Sequence, residues 1–63
     1  MENVKKLYYE NGNIKSEWWY KNGKYHRNNG PAIIEYDKNQ NIISEEFYLN
    51  GEKVDELKIL VNI

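Results

Sequence analysis

The chain has 63 residues, nine of them basic and ten acidic, and it contains no cysteine. This length allows one small domain, which buries only about 60% of its unfolded surface and is marginally stable alone. No disulfide can form, one histidine without a Cys/His cluster argues against a structural zinc, and the balanced charge argues against a nucleic-acid-binding arm or a membrane-surface patch. Oligomerisation is the remaining common way to stabilise such a scaffold.

Two parts of the chain carry nearly the same sequence, 28 residues apart. Nine positions between 8 and 23 are identical to their counterparts: Tyr8, Asn11, Asn13, Ile14, Ser16, Glu17, Tyr20, Asn22 and Gly23. A repeat of this length indicates one supersecondary unit copied in tandem. We place repeat one at about 7–27, repeat two at about 35–55 and a tail at 54–63, all within a single domain, 1–63.

Strands and turns alternate in both repeats. Repeat one reads as a short aromatic strand at 7–9, a turn at 10–13, a strand at 14–20 and an Asn-Gly turn at 21–24. Repeat two reads as strands at 32–36 and 42–49 with turns at 37–41 and 50–51. Asn-Gly pairs tolerate the positive φ of tight hairpins. The pattern predicts a mainly β fold, an antiparallel hairpin meander of about four strands.

One turn of repeat two departs from repeat one. Gln40 stands where repeat one has Gly12. Because glutamine adopts a positive φ less readily than glycine, we expect that turn to have a different geometry or an extra residue.

The tail is compatible with two structures. Val54, Leu57, Leu60 and Val61 have helical spacing, with Asp55 as an N-cap, whereas residues 57, 59, 61 and 63 alternate as in a strand. A short helix that covers one sheet face is favoured slightly, because a single sheet needs such a cover. A strand could instead pair with another chain's edge.

The repeat also separates the two faces of the long strands, because side chains alternate along a strand. Trp19 matches Phe47, so this aromatic position is the predicted core. Trp18 matches Glu46, and a position that accepts a carboxylate is usually wet. Trp18 is therefore either an exposed aromatic anchor for an interface or a ring that covers a gap beside the N-terminal strand or the tail.

Residues 22–32 read Asn-Gly-Lys-Tyr-His-Arg-Asn-Asn-Gly-Pro-Ala. This stretch resembles the NGxxHRxxGPA pattern of MORN-like repeat proteins of bacteria, phages and large DNA viruses, and the surrounding Tyr-x-Asn-Gly pattern is similar to small antitoxin-like repeat proteins. The resemblance covers roughly residues 8–53. It implies a β-hairpin repeat that serves as a scaffold or binding surface without catalysis. Only one copy carries the His-Arg element, because Glu52-Lys53-Val54-Asp55 follows Gly51.

The side chains that could carry chemistry favour structure over catalysis. A general base needs convergent partners and a shielded pocket, for which a small sheet has little room. We expect His26 and Arg27 to bond backbone carbonyls and to pack beside Tyr25. A carboxylate such as Glu35 or Glu45 is a candidate ion-pair partner for Arg27. No catalytic residue, metal site or cofactor is predicted, and the carboxylates are interleaved with lysines as on a solvated face.

The leading functional hypothesis is a non-enzymatic protein-binding module with four anchors, Trp18, Tyr20, Tyr25 and Arg27. The composition is rich in residues with A/T-rich codons, and the start of the chain lacks the apolar run of a signal peptide. With the resemblance, these features suggest a cytoplasmic phage or mobile-element protein that neutralises a host defence protein or toxin. A homo-oligomeric building block, such as a dimer, is the alternative. A single-stranded nucleic-acid binder is less favoured, since phosphate contacts require a basic excess, and no membrane partner is expected.

Overall fold

The computed structural model describes residues 2–57, which form one antiparallel sheet of six strands. The strands are β1 (Glu2–Tyr8), β2 (Ile14–Lys21), β3 (Lys24–Tyr25), β4 (Ile33–Tyr36), β5 (Ile42–Leu49) and β6 (Glu52–Val54). Their order is β1-β2-β4-β5-β6, with β3 paired to the end of β2. The predicted mainly β hairpin meander is confirmed. Its four strands are β1, β2, β4 and β5, and the short β3 and β6 follow the two Asn-Gly turns.

The sheet repeats itself with the same 28-residue period as the sequence. A shift of 28 residues places Ile14–Lys21 on Ile42–Leu49, so that β2 and β5 begin and end at equivalent positions of the repeat. The register of β1 against β2 shifts between Leu7 and Tyr8, and that of β4 against β5 shifts between Glu35 and Tyr36. Each repeat is therefore a three-stranded unit, and β2 pairs with β4 to join the two units.

The turn at 37–41 has the same backbone geometry as the turn at 9–13, and the expectation of a different turn was wrong. Gly12 and Gln40 both have positive φ, 90° and 72°. In each turn the amide of this residue donates to the carbonyl three positions earlier, at 3.0 Å and 3.1 Å. Glutamine is held in this conformation because its Nε2 donates to Asn13 Oδ1 at 2.7 Å and because Asp37 organises the turn backbone.

The sheet buries very little. Ala32 and Ile34 are the buried apolar residues of the part described, and Ser16 and His26 are buried polar residues. Trp19, predicted as the core position, is only half-buried, as is Phe47. Large aromatic rings on a single-layer sheet remain partly exposed, whereas small side chains of the central strand region are enclosed by their neighbours.

The predicted tail, 54–63, is described only as far as Leu57. Val54 ends β6, and Glu56 and Leu57 have helical backbone. The choice between helix and strand beyond Leu57 lies outside the described residues. Within residues 2–57 no helix is long and apolar enough to cross a membrane.

Candidate functional site

Four aromatic side chains lie together on one face of the sheet, and we call Trp18, Tyr20, Tyr25 and Tyr48 the aromatic face. Trp18 and Tyr20 share this face because they are two residues apart on β2. Tyr20 is paired with Tyr25, and their rings stack with centroids 5.1 Å apart and planes 23° apart. Tyr25 in turn contacts the Tyr48 ring at 5.3 Å. All four side chains are half-buried, so each offers part of a ring to solvent.

Charged side chains border the aromatic face. Lys5 Nζ lies 5.4 Å from the centroid of the Trp18 ring, within the range of a cation–π contact. Tyr48 donates its hydroxyl hydrogen to Glu46 Oε1 at 3.2 Å, and Lys53 Nζ is 3.9 Å from the same oxygen. The surface thus combines aromatic area with polar groups at its border.

The environment of the aromatic face raises the pKa of two of its phenols. Desolvation, followed by the neighbouring Tyr25, raises the pKa of Tyr20. Desolvation and the hydrogen bond to the Glu46 carboxylate raise the pKa of Tyr48. Neutral phenols combine apolar contact area with one hydrogen-bonding group, which is why tyrosine is common at protein interfaces.

Arg27, the fourth predicted anchor, lies on the opposite face. Its guanidinium carbon is 3.8 Å from the centroid of the Trp19 ring. Its Nη1 donates to the Pro31 carbonyl and its Nε to Asn29 Oδ1, both at 3.3 Å. The other side of the guanidinium faces Gly30, where an added Cβ would lie 3.1 Å from Arg27 Cζ. The structure therefore brings three of the four predicted anchors together and uses Arg27 within the fold.

The side chains around Arg27 are connected through Glu17. Trp19 Nε1 donates to Glu17 Oε1 at 3.3 Å, and the Tyr36 hydroxyl donates to Glu17 Oε2 at 3.2 Å. Burial and the Glu17 carboxylate raise the pKa of Tyr36. Among residues 2–57, Arg27 forms no ion pair with Glu35 or Glu45, because its guanidinium is already directed at carbonyl and amide oxygens.

His26 is buried and holds the two repeats together. Its Nδ1 accepts a hydrogen bond from the Asn50 amide at 2.9 Å, so this nitrogen carries no proton. Its Nε2 has no hydrogen-bond partner within residues 2–57. Nearby, Gly51 N donates to Tyr25 O at 2.8 Å and Arg27 N to Tyr48 O at 3.2 Å. The segment Tyr25–Arg27 of repeat one is therefore hydrogen-bonded to the Asn-Gly turn of repeat two and to the end of β5.

The turns at 9–13 and 37–41 lie side by side at the other end of the sheet. Asn11 Nδ2 and Asn13 Nδ2 both donate to the Lys38 carbonyl, at 3.1 Å and 2.9 Å. An open depression of about 520 Å³ borders these turns, lined by Tyr8, Tyr9, Glu10, Asn11, Lys15 and Lys38.

In the described chain, no three His, Asp or Glu side chains are placed to hold a metal ion.

Sequence reasoning missed Tyr48 and Lys5 as members of this surface. Tyr48 had a signal, because it is the repeat counterpart of Tyr20. Lys5 had none, because its position over Trp18 depends on the pairing of β1 with β2.

A scan against protein-family models and searches of curated proteins and of solved structures found no match.

Proposed function

We propose that the chain is a non-enzymatic protein-binding module whose contact surface is the aromatic face. The observation that supports this function is the row of contacting, partly exposed rings, with Tyr20 stacked on Tyr25 and Tyr25 tilted against Tyr48. Trp18 lies beside this row on the same face. Tyrosine and tryptophan dominate the energy of protein interfaces because they bury a large area with few rotatable bonds. The thin core adds support, since a single-layer sheet leaves apolar area that a partner can cover.

A protein partner suits the charges of this face better than a nucleic acid does. Glu35 and Glu46 lie on the same side of the sheet as Trp18, as the pairings through Ile33 and Ser16 require. The whole chain has a net charge of −1. Phosphate contacts supply most of the affinity for nucleic acid, and carboxylates beside the rings would repel phosphates.

The concrete form of the proposal is a cytoplasmic phage or mobile-element protein that binds and neutralises a host defence protein or toxin. This form is supported by the resemblance of residues 22–32 to MORN-like repeats and by the A/T-rich codon bias of the composition. A non-catalytic role is supported by His26, whose Nδ1 is occupied by a backbone amide rather than by a nucleophile.

Paired variants on opposite faces of the sheet test the proposed surface. Tyr20→Ser removes a half-buried ring from the aromatic face. Ile43→Ser removes an apolar side chain from the other face, where Ile43 is 64% exposed. Each tagged protein is used to purify partners from extract of the source cells, and the affinity of the recovered protein is then measured. We expect Tyr20→Ser to weaken binding about tenfold or more, as for an interface anchor. Circular dichroism verifies that both variants are folded.

Two results would overturn the proposal. Equal affinities of the Tyr20→Ser and Ile43→Ser proteins would show that the aromatic face is not the contact surface. Recovery of a partner that disappears after nuclease treatment would show that nucleic acid, not protein, is bound.

A further inference from the structure

We propose that the two open edges of the sheet are complementary, and that the chain associates head to tail with a second copy, β1 of one copy pairing with β5 of the next. This inference is independent of the proposed function, because it uses the sheet edges and leaves the aromatic face free.

Both edges are open in the part of the chain that the structure describes. β1 pairs with β2 on one side and has no strand on the other. β5 pairs with β4, while β6 covers only Phe47–Leu49 on its other side, so residues 42–46 have an open edge. Unpaired edges present rows of backbone donors and acceptors that readily take up another strand.

The repeat shows how these edges fit each other. β5 is the counterpart of β2, and the end of β1 is the counterpart of β4. The open edge of β5 is therefore equivalent to the edge of β2 that holds β4 within the chain. That internal junction pairs Ser16 with Glu35, Glu17 with Ile34 and Trp18 with Ile33.

The same register between two copies matches opposite charges. In the junction between two copies, each β2 residue is replaced by its β5 counterpart and each β4 residue by its β1 counterpart. This register places Ser44 opposite Leu7, Glu45 opposite Lys6 and Glu46 opposite Lys5 of the second copy. Opposite charges directly across a strand pair stabilise it, and like charges destabilise it. A symmetric pair of β1 edges centred on Lys5 and Lys6 would oppose lysine to lysine, so in that register the charges favour the head-to-tail arrangement.

Lys6 and Glu45 are available for this contact. Both are exposed, and neither side chain forms a hydrogen bond or ion pair among residues 2–57, although Lys6 is the strand partner of Glu17. Lys5 and Glu46 have internal contacts, to Trp18 and to Lys53 respectively, on the face of the sheet rather than along its edge. Because the interface joins two different edges, it does not close at a dimer and continues through further copies into an open chain or a larger ring.

Charge reversal at the edges tests the inference by sedimentation velocity at low salt over a wide concentration range. For the wild-type protein we expect a mean mass that rises with concentration and passes that of a dimer. Lys6→Glu and Glu45→Lys each place like charges across the junction and should sediment as monomers. An equimolar mixture of the two variants restores opposite charges at every junction and should associate again. Lys38→Glu and Glu52→Lys, which change the same charges away from these edges, should behave as wild type.

Four results would overturn the inference: a wild-type monomer at every concentration, a plateau at a dimer, no recovery on mixing, or stronger association of Lys6→Glu. The last would show that the edge lysine prevents strand pairing, as edge lysines do in many sheets. Partner binding by the aromatic face is measured on the same variants. Because neither changes that face, failure of the edge pairing and failure of the proposed function give separate results.

Discussion

The single histidine of the chain is an acceptor for the backbone of a turn. The Asn50 amide donates to His26 Nδ1 in an environment where the imidazole is only 4% exposed. A part-buried amide that loses its acceptor costs up to the full desolvation of the N–H group. The contact spans 24 residues, so it links repeat one to repeat two rather than stabilising a local turn.

Replacing His26 tests this role. His26→Ala leaves the Asn50 amide without its acceptor and should lower the free energy of unfolding by about 1–3 kcal/mol. His26→Asn is the matched variant, because its Oδ1 takes nearly the position of imidazole Nδ1, and it should recover part of the loss. Urea denaturation measures both. A His26→Ala protein as stable as wild type would contradict the role assigned to the hydrogen bond.

Gly30 is required by the side chain of Arg27 rather than by its own backbone. An added Cβ would meet Arg27 Cζ and Nε at 3.1 Å, and the guanidinium cannot retreat because the Trp19 ring lies on its other side. We expect Gly30→Ala to destabilise the wild-type protein and to cost much less in an Arg27→Ala background. Denaturation of the two single variants and the double variant should give a coupling of at least about 0.5 kcal/mol. Additive effects would contradict the contact.

The turn at 37–41 depends on one carboxylate. Asp37 Oδ1 accepts from the amides of Asn39 and Asn41, at 2.8 Å and 2.9 Å, and Oδ2 accepts from Asn41 Nδ2 at 3.1 Å. These hydrogen bonds, led by those of Asn41, hold the pKa of Asp37 below its usual range. The hydrogen bonds also explain how the turn keeps Gln40 at a positive φ.

The sign of the pH dependence follows from this lowered pKa. The contribution of Asp37 is complete above the pKa of the unfolded carboxyl and is lost as the pH falls through the lower pKa of the folded state. Between about pH 5 and pH 2, wild-type stability should therefore fall more steeply than that of Asp37→Asn. Thermal melts at several pH values measure the difference, with Asp55→Asn as the matched control. Equal slopes for wild type and Asp37→Asn would contradict the assignment.

At the level of elements, the sequence predicts most of the sheet. The sequence predicts 42–49 for β5 and the bounds of β2 within one residue, because turn residues flank strands rich in β-branched and aromatic residues. The geometry of the Gln40 turn could not be predicted from local preference. It is fixed by Asp37 and by a side-chain contact to Asn13 in the other repeat, and such contacts appear only once the strands are paired.

At the scale of the whole described chain, residues 2–57 form a sheet one layer thick, and this explains where the site prediction succeeded and failed. Period-two alternation places Trp18 and Tyr20 on one face correctly. It cannot show that Arg27 folds back over Trp19, which depends on the path of the loop between β3 and β4. Alternation also overstated the burial of Trp19, because the described residues supply no second layer to cover it.

Within residues 2–57, partly exposed rings and open sheet edges are the features on which the two proposals rest. The aromatic face and the sheet edges are separate surfaces, so one chain could bind a partner through its rings while pairing with copies along its edges. Variants of Lys6 or Glu45 would then change the assembly and keep the affinity for the partner.

The most direct test of the central claim is photo-crosslinking in the source cells from a probe placed on either face of the sheet. The photoreactive amino acid p-benzoylphenylalanine replaces Tyr20 on the aromatic face in one protein and Ile43 on the opposite face in another. We predict that the probe at position 20 forms a covalent adduct with one distinct protein, identified by mass spectrometry, and that the probe at position 43 does not. The same adducts from both positions, or adducts with nucleic acid alone, would contradict the aromatic face as a protein-binding surface.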